Sequence, residues 1–183
     1  MNMKSNFLVV STSLNQDSKS RVMAKIACDS LKKLGAEAEV NWLDLQEVEL
    51  PICDGGRAYE HPNLPAVKEL IEKADGIIVA IPIYNYASGA MAKNLIELTG
   101  RAWTEKTVGF LCAAGGRSSY MSVMGLANSL MLDFRSLIIP SFVYADGNAF
   151  DDAGGITDEA VRARIENLSS ELIRISNSLK RAA

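Results

Sequence analysis

Residues 76–82, GIIVAIP, are apolar at every position. A strand with one wet face would alternate, so an unbroken apolar run of strand length is the mark of a strand covered on both sides, the condition of a central strand in a parallel sheet. Parallel strands need crossover helices, and the rest of the chain supplies them. Phe7 to Ser11 reads as a buried strand, and Val22, Ile26 and Leu31 with Met23, Ala27 and Leu34 give helical spacing up to a stop at Gly35. Glu37 to Leu43 suits a second strand. Asp44 to Asn63 is irregular, with Pro51, Gly55, Gly56 and Pro62, and Val67, Leu70, Ile71 and Ala74 mark a short amphipathic helix. Beyond the central run, Met91, Leu95 and Leu98 mark a third helix ending at Gly100, Thr107 to Ala113 a fourth strand, Tyr120 to Phe134 a fourth helix, and Ser136 to Phe142 a fifth strand.

The last helix has the most regular pattern. Val161, Ile165, Leu168, Leu172, Ile175 and Leu179 recur at helical steps, Thr157 is placed as the N-cap, Ile156 can staple onto Val161, and Asp158 and Glu159 fall in the first turn. The expectation is one α/β domain over residues 1–183, with five parallel strands and helices on both faces of the sheet.

Bulk properties remove several function classes. With 48% hydrophobic and 22% charged residues the chain has the composition of a folded globule. A net charge of -3 leaves no electrostatic footprint for nucleic acid, and no Lys or Arg cluster suggests a membrane surface. The opening MNMKSNFLVV has too short an apolar run for a signal peptide, and no later segment could span a bilayer. Cys28, Cys53 and Cys112 are odd in number and far apart, which fits neither a disulfide framework nor a metal-ligand set. The expected location is the cytoplasm, and no metal site is expected. His61 lies between Glu60 and Pro62 in a loop and reads as a surface residue.

In sheets of this kind ligands bind beyond the C-terminal strand ends. Three loops of unusual composition fall there: residues 11–20, 82–90 and 113–119. The first, STSLNQDSKS, crowds hydroxyls where a strand should turn tightly into a helix. A helix N-terminus offers free N–H groups and partial positive charge, so Ser11, Thr12, Ser13, Ser18 and Ser20 could complete a phosphate site without any Lys. The same residues also read as a capping serine in a soluble turn. Neither a Walker loop nor a G-x-G-x-x-G turn is present.

Taken together, STSLNQDSKSR at 11–21, PIYNY at 82–86 followed by KN at 93–94, AAGGR at 113–117 and AFDDAGGITDE at 149–159 resemble the NADPH-dependent FMN reductase family of flavodoxin-like proteins. The resemblance implies a three-layer sandwich with strand order 2-1-3-4-5. It implies that Ser11, Ser13, Asn15, Ser18 and Ser20 receive the FMN phosphate, that Pro82, Ile83, Tyr84, Asn85 and Tyr86 run along the isoalloxazine, and that Ala113, Gly115, Gly116 and Arg117 form the opposite wall. Relatives often carry Arg where this chain has Asn15, Glu where it has Ile83, and Gly where it has Tyr86.

The implied activity is hydride transfer from NADPH or NADH to bound FMN, then to quinones, azo compounds, free flavin or oxidised metal ions, with no catalytic acid or base from the chain. A flavodoxin-type electron carrier and a flavin-free regulatory or scaffold protein are the alternatives; the first would normally be far more acidic. Family members usually form dimers or tetramers, and Tyr120 to Phe134 is apolar around more of its circumference than a core stripe requires, so a homodimer or homotetramer through that region is expected.

Overall fold

The computed structural model describes residues 4–35 and 37–182. Its elements run β1 (Asn6–Ser11), α1 (Lys19–Leu34), β2 (Glu39–Asp44), α2 (Leu64–Lys73), β3 (Gly76–Tyr84), β4 (Ala87–Ser88), α3 (Ala90–Thr99), β5 (Thr107–Ala113), α4 (Met124–Phe134), β6 (Leu137–Ile138), β7 (Val143–Ala145) and α5 (Glu159–Ala182). The sheet order is β2-β1-β3-β5, with β6 and β7 together in the fifth place along β5. These pairs are parallel, and β4 adds a short antiparallel return on the end of β3.

Both faces of the central strand are buried. Ile77, Val79 and Ile81 join Leu8, Val10 and Phe110 against α2, α3 and α4, while Ile78 and Ala80 join Phe7, Val9 and Leu111 against α1 and α5. Each fully covered Ile or Val contributes roughly 1.5–3 kcal/mol from burial, so β3 is the sheet's anchor. Gly76 and Gly109 explain how closely α5 lies on it: a Cβ on Gly76 would sit 2.9 Å from Leu172 Cγ, and one on Gly109 3.0 Å from Leu168 Cδ1.

Three sequence expectations need correction. The expected fifth strand, 136–142, is interrupted: Ile138 pairs with Val108, but the next paired residue is Val143, opposite Leu111. Pro140 lies in the gap and has no N–H to give a ladder, so the edge strand bulges and resumes later. The expected fourth helix is a 3₁₀ segment over Arg117–Val123 that passes into α4 only at Met124. At α5 the cap is Asp158, whose Oδ1 accepts from the Ala160 N–H at 2.8 Å and the Val161 N–H at 3.2 Å; Thr157 stands one residue too early. A carboxylate at this place adds favourable charge to a helix N-terminus.

Candidate functional site

The loops after β1, β3 and β5 converge on one cleft of about 290 Å³. Its lining takes Ser13, Asn15, Ser18 and Ser20 from the first, Pro82, Ile83 and Tyr84 from the second, and Ala113 and Gly115 from the third. Lys19 and Ala114 complete it, so the serine end of the cleft includes a lysine. Ser11 stands apart. It ends β1 with no exposed surface, and its Oγ has no hydrogen-bond partner. Asn85, Tyr86, Gly116 and Arg117 lie outside the lining, in the turns that flank it.

The serine loop is shaped from beneath by Arg21, a residue the sequence reading passed over. Arg21 is buried, and its guanidinium spends its donors inside the protein: Nε on Asp44 Oδ2 at 2.5 Å, Nη2 on Asp44 Oδ1 at 3.2 Å and on the Ser13 carbonyl at 2.7 Å, and Nη1 on the carbonyls of Asn15 at 2.5 Å and Gln16 at 3.2 Å. Three loop carbonyls are thereby turned inward. An anion approaching the loop is spared their negative ends, and Asp44 supplies the counter-charge that lets the guanidinium stay buried.

Above this base the hydroxyls are ordered. Ser18 caps α1 by accepting from the Arg21 N–H at 3.2 Å, and its Oγ lies 3.0 Å from Ser20 Oγ. Ser13 Oγ accepts from the Asn15 N–H at 3.3 Å, and Asn15 Oδ1 from the Asp17 N–H at 3.1 Å. Small polar side chains therefore hold the turn with local bonds.

The second wall begins where β3 leaves the core. Ile83 pairs with Ser88 and Tyr84 with Ala87, leaving Asn85 and Tyr86 as a two-residue turn with φ of 48° and 63°. Positive φ at both central positions defines a type I′ hairpin, which Asn adopts readily and a bulky aromatic only at a cost. Tyr86 holds that conformation with 68% of its surface exposed. Asn94, the end of the KN pair, is buried and pins a different segment: Oδ1 accepts from the Cys53 N–H at 2.8 Å, and Nδ2 donates to the Pro51 carbonyl at 2.9 Å. That places the 51–53 loop beside the middle of α3.

The third wall has glycines that the chain itself does not require. A Cβ on Gly115 or Gly116 would meet no atom within 4 Å, and Gly116 has an ordinary extended φ of -153°. Neither packing nor backbone conformation accounts for them. An open side next to a cleft suits a flat ligand that must approach the main chain. Tyr144 donates its hydroxyl to the Gly116 carbonyl, and the Arg117 Nε pairs with Asp146 Oδ2 at 2.8 Å. The Arg117 guanidinium first, and then the Asn148 N–H, hold Asp146 below the usual carboxylate range. Cys112, near the end of β5, is pushed up to about 12 by burial and stays a neutral thiol. The lining offers hydroxyls and one ammonium at one end, and a tyrosine and open backbone at the other. That donor set fits the phosphate and the ring of FMN.

Comparison with known proteins gives the family. The family model for NADPH-dependent FMN reductase matches residues 5–151. An NAD(P)H-dependent FAD/FMN reductase of Geobacillus thermodenitrificans is 27% identical over 151 residues, 81% of this chain and 82% of that protein. An NADPH azoreductase of a Bacillus species is 29% identical over 158 residues, 84% and 83% of the two chains. Among solved structures, a flavoenzyme NAD(P)H:(acceptor) oxidoreductase from Paracoccus denitrificans aligns with a TM-score of 0.74 at 21% identity, covering 95% of this chain and 98% of the other, which shows a shared fold. With the matched segment running from before β1 to the turn before α5, the chain belongs to the NADPH-dependent FMN reductase family.

Proposed function

We propose that the cleft beyond β1, β3 and β5 is the FMN site of an NAD(P)H-dependent oxidoreductase that passes electrons to small-molecule acceptors such as quinones or azo compounds. The activity class follows from the family; the assignment of residues rests on the convergence of three separate loops on one cleft, with hydroxyls at one end and exposed Tyr84 at the other. Ser13, Ser18 and Ser20 bind the phosphate, with Asn15 at its side. Pro82 to Tyr84 support the ring, and Gly115 leaves it room. Hydride acceptance and onward electron delivery are the chemistry that FMN supplies when bound.

The chain's own part is to hold the flavin, exclude water from one face and leave the other open beside Tyr86. Donor and acceptor then take turns on that open face. Buried Ser11 and the outward Arg117 have support for indirect roles only: Ser11 lies beneath the loop, and Arg117 braces the third wall through Asp146.

Among the described residues no helix is long and apolar enough to cross a membrane. Cytoplasmic location suits three free thiols. The 120–134 region shows Tyr120, Met121, Met124, Met131 and Leu132 on its outer side, which suits burial against a second copy. Steady-state oxidation of NADPH and of NADH by flavin-loaded protein, with quinone, azo and free-flavin acceptors, tests the reading. Parallel double-reciprocal lines are expected with at least one acceptor, and loaded protein that oxidises neither nucleotide with any of them refutes it.

A further inference from the structure

We infer that Lys19 is the fixed cation of the phosphate end of the cleft, an assignment that rests on the flavin reading above. Lys19 opens α1 between buried Ser18 and Ser20, and among the lining residues it alone carries a charge. A cation at this place stands against the positive end of the helix dipole, and the first turn of α1 holds no acidic residue to offset it. Nor does the ammonium find a carboxylate elsewhere: no ion pair among the described residues includes Lys19. Asp17, Asp151 and Asp152 share the groove on its outer side, and none of them pairs with it. A local arrangement that is unfavourable by itself becomes favourable when an anion arrives, because dipole and ammonium then act on the same charge.

The ammonium is also held in place. Its Nζ lies 5.2 Å from the centre of the Phe150 ring. Phe150 is set by the tight turn that follows, in which the Asp151 N–H donates to the Gly155 carbonyl at 2.9 Å, the Gly155 N–H to Asp151 Oδ1 at 2.7 Å, and Phe150 bridges to Ile156. This gives the AFDDAGGITDE stretch a task at the cleft, which the family resemblance alone did not. On the other side a Cβ at Gly147 would come within 3.8 Å of Lys19 Nζ and 3.5 Å of the Gly115 carbonyl, so the ammonium stands close to the third wall as well. Cation–ring contact and two flanking loops hold the Lys19 ammonium at the margin of the cleft. Its charge selects a phosphomonoester over a neutral polyol, and it stands in for the charge that Asn15 lacks.

Titration of the apoprotein with FMN and with riboflavin, which lacks the phosphate, tests this in wild type, Lys19→Ala and Lys19→Arg. Loss of one charge-assisted bond predicts FMN affinity weaker by roughly ten- to a hundredfold in the alanine variant, with most of it restored by arginine and riboflavin binding unchanged. FMN affinity of the alanine variant should also fall less steeply with added salt than that of wild type. The apo melting temperature should not drop, since the substitution removes a cation from the positive end of a helix. Equal FMN affinity in wild type and Lys19→Ala overturns the inference and leaves the flavin reading standing, and so does an equal loss for both flavins. Wild type that binds neither flavin overturns the reading beneath it too.

Discussion

Ser18 has two duties: it caps α1 through the Arg21 N–H, and it turns its hydroxyl toward the cleft beside Ser20. Aspartate caps a helix as well as serine does, so Ser18→Asp keeps the fold and isolates the electrostatic effect. A carboxylate facing a phosphate dianion should weaken FMN binding a hundredfold or more, with the apo melting temperature unchanged; calorimetric titration and a thermal scan check the two halves. Asp44→Asn acts from beneath. It leaves the buried Arg21 guanidinium without its counter-charge, which should cost about 3–5 kcal/mol of stability by denaturant unfolding. The serines were legible because their composition is odd where a strand meets a helix. The Arg21–Asp44 pair was not, because no local pattern connects a helix residue to the end of a strand 23 positions on. Ser11 lies outside the lining for a related reason: a hydroxyl next to the loop looks like part of it until the register puts it inside β1.

At the level of elements, the hairpin after β3 is the strained one. Left-handed backbone at a tyrosine costs roughly 1–2 kcal/mol, and an exposed ring recovers little of that through packing. Tyr86→Gly should therefore raise the melting temperature by about 2–4 °C, a shift differential scanning calorimetry resolves. It should retain FMN and change the relative rates among quinone, azo and free-flavin acceptors, which stack differently in the open slot. A variant that loses its flavin, or slows equally with every acceptor, places Tyr86 elsewhere. The strands β3 and β5 and the helix α5 were readable from hydrophobic pattern alone, since the strands are covered on both faces and the long helix buries one regular stripe. The fifth strand was not: apolar residues on both sides of Pro140 read as one run, and only the ladder shows that the proline forces a bulge. The two-residue return at β4 is too short to leave a periodic signal.

Across the whole molecule, the sheet places the three loops that line the cleft at one end while α4 carries an apolar face to the outside. Leu132 is 83% exposed, an unusual position for a leucine on an otherwise well-packed domain. Light scattering at micromolar concentration should give a dimer or tetramer, and Leu132→Asp should shift the population toward monomer without lowering the melting temperature of the isolated chain. The most direct measurement of the central claim is anaerobic addition of NADPH to protein reconstituted with FMN and freed of excess flavin by gel filtration. The account predicts a yellow wild-type protein whose flavin band is bleached by NADPH, and a Ser18→Asp protein that leaves the column colourless. Wild type that leaves the column without flavin, or loaded protein that stays yellow under excess NADPH and NADH, would contradict it.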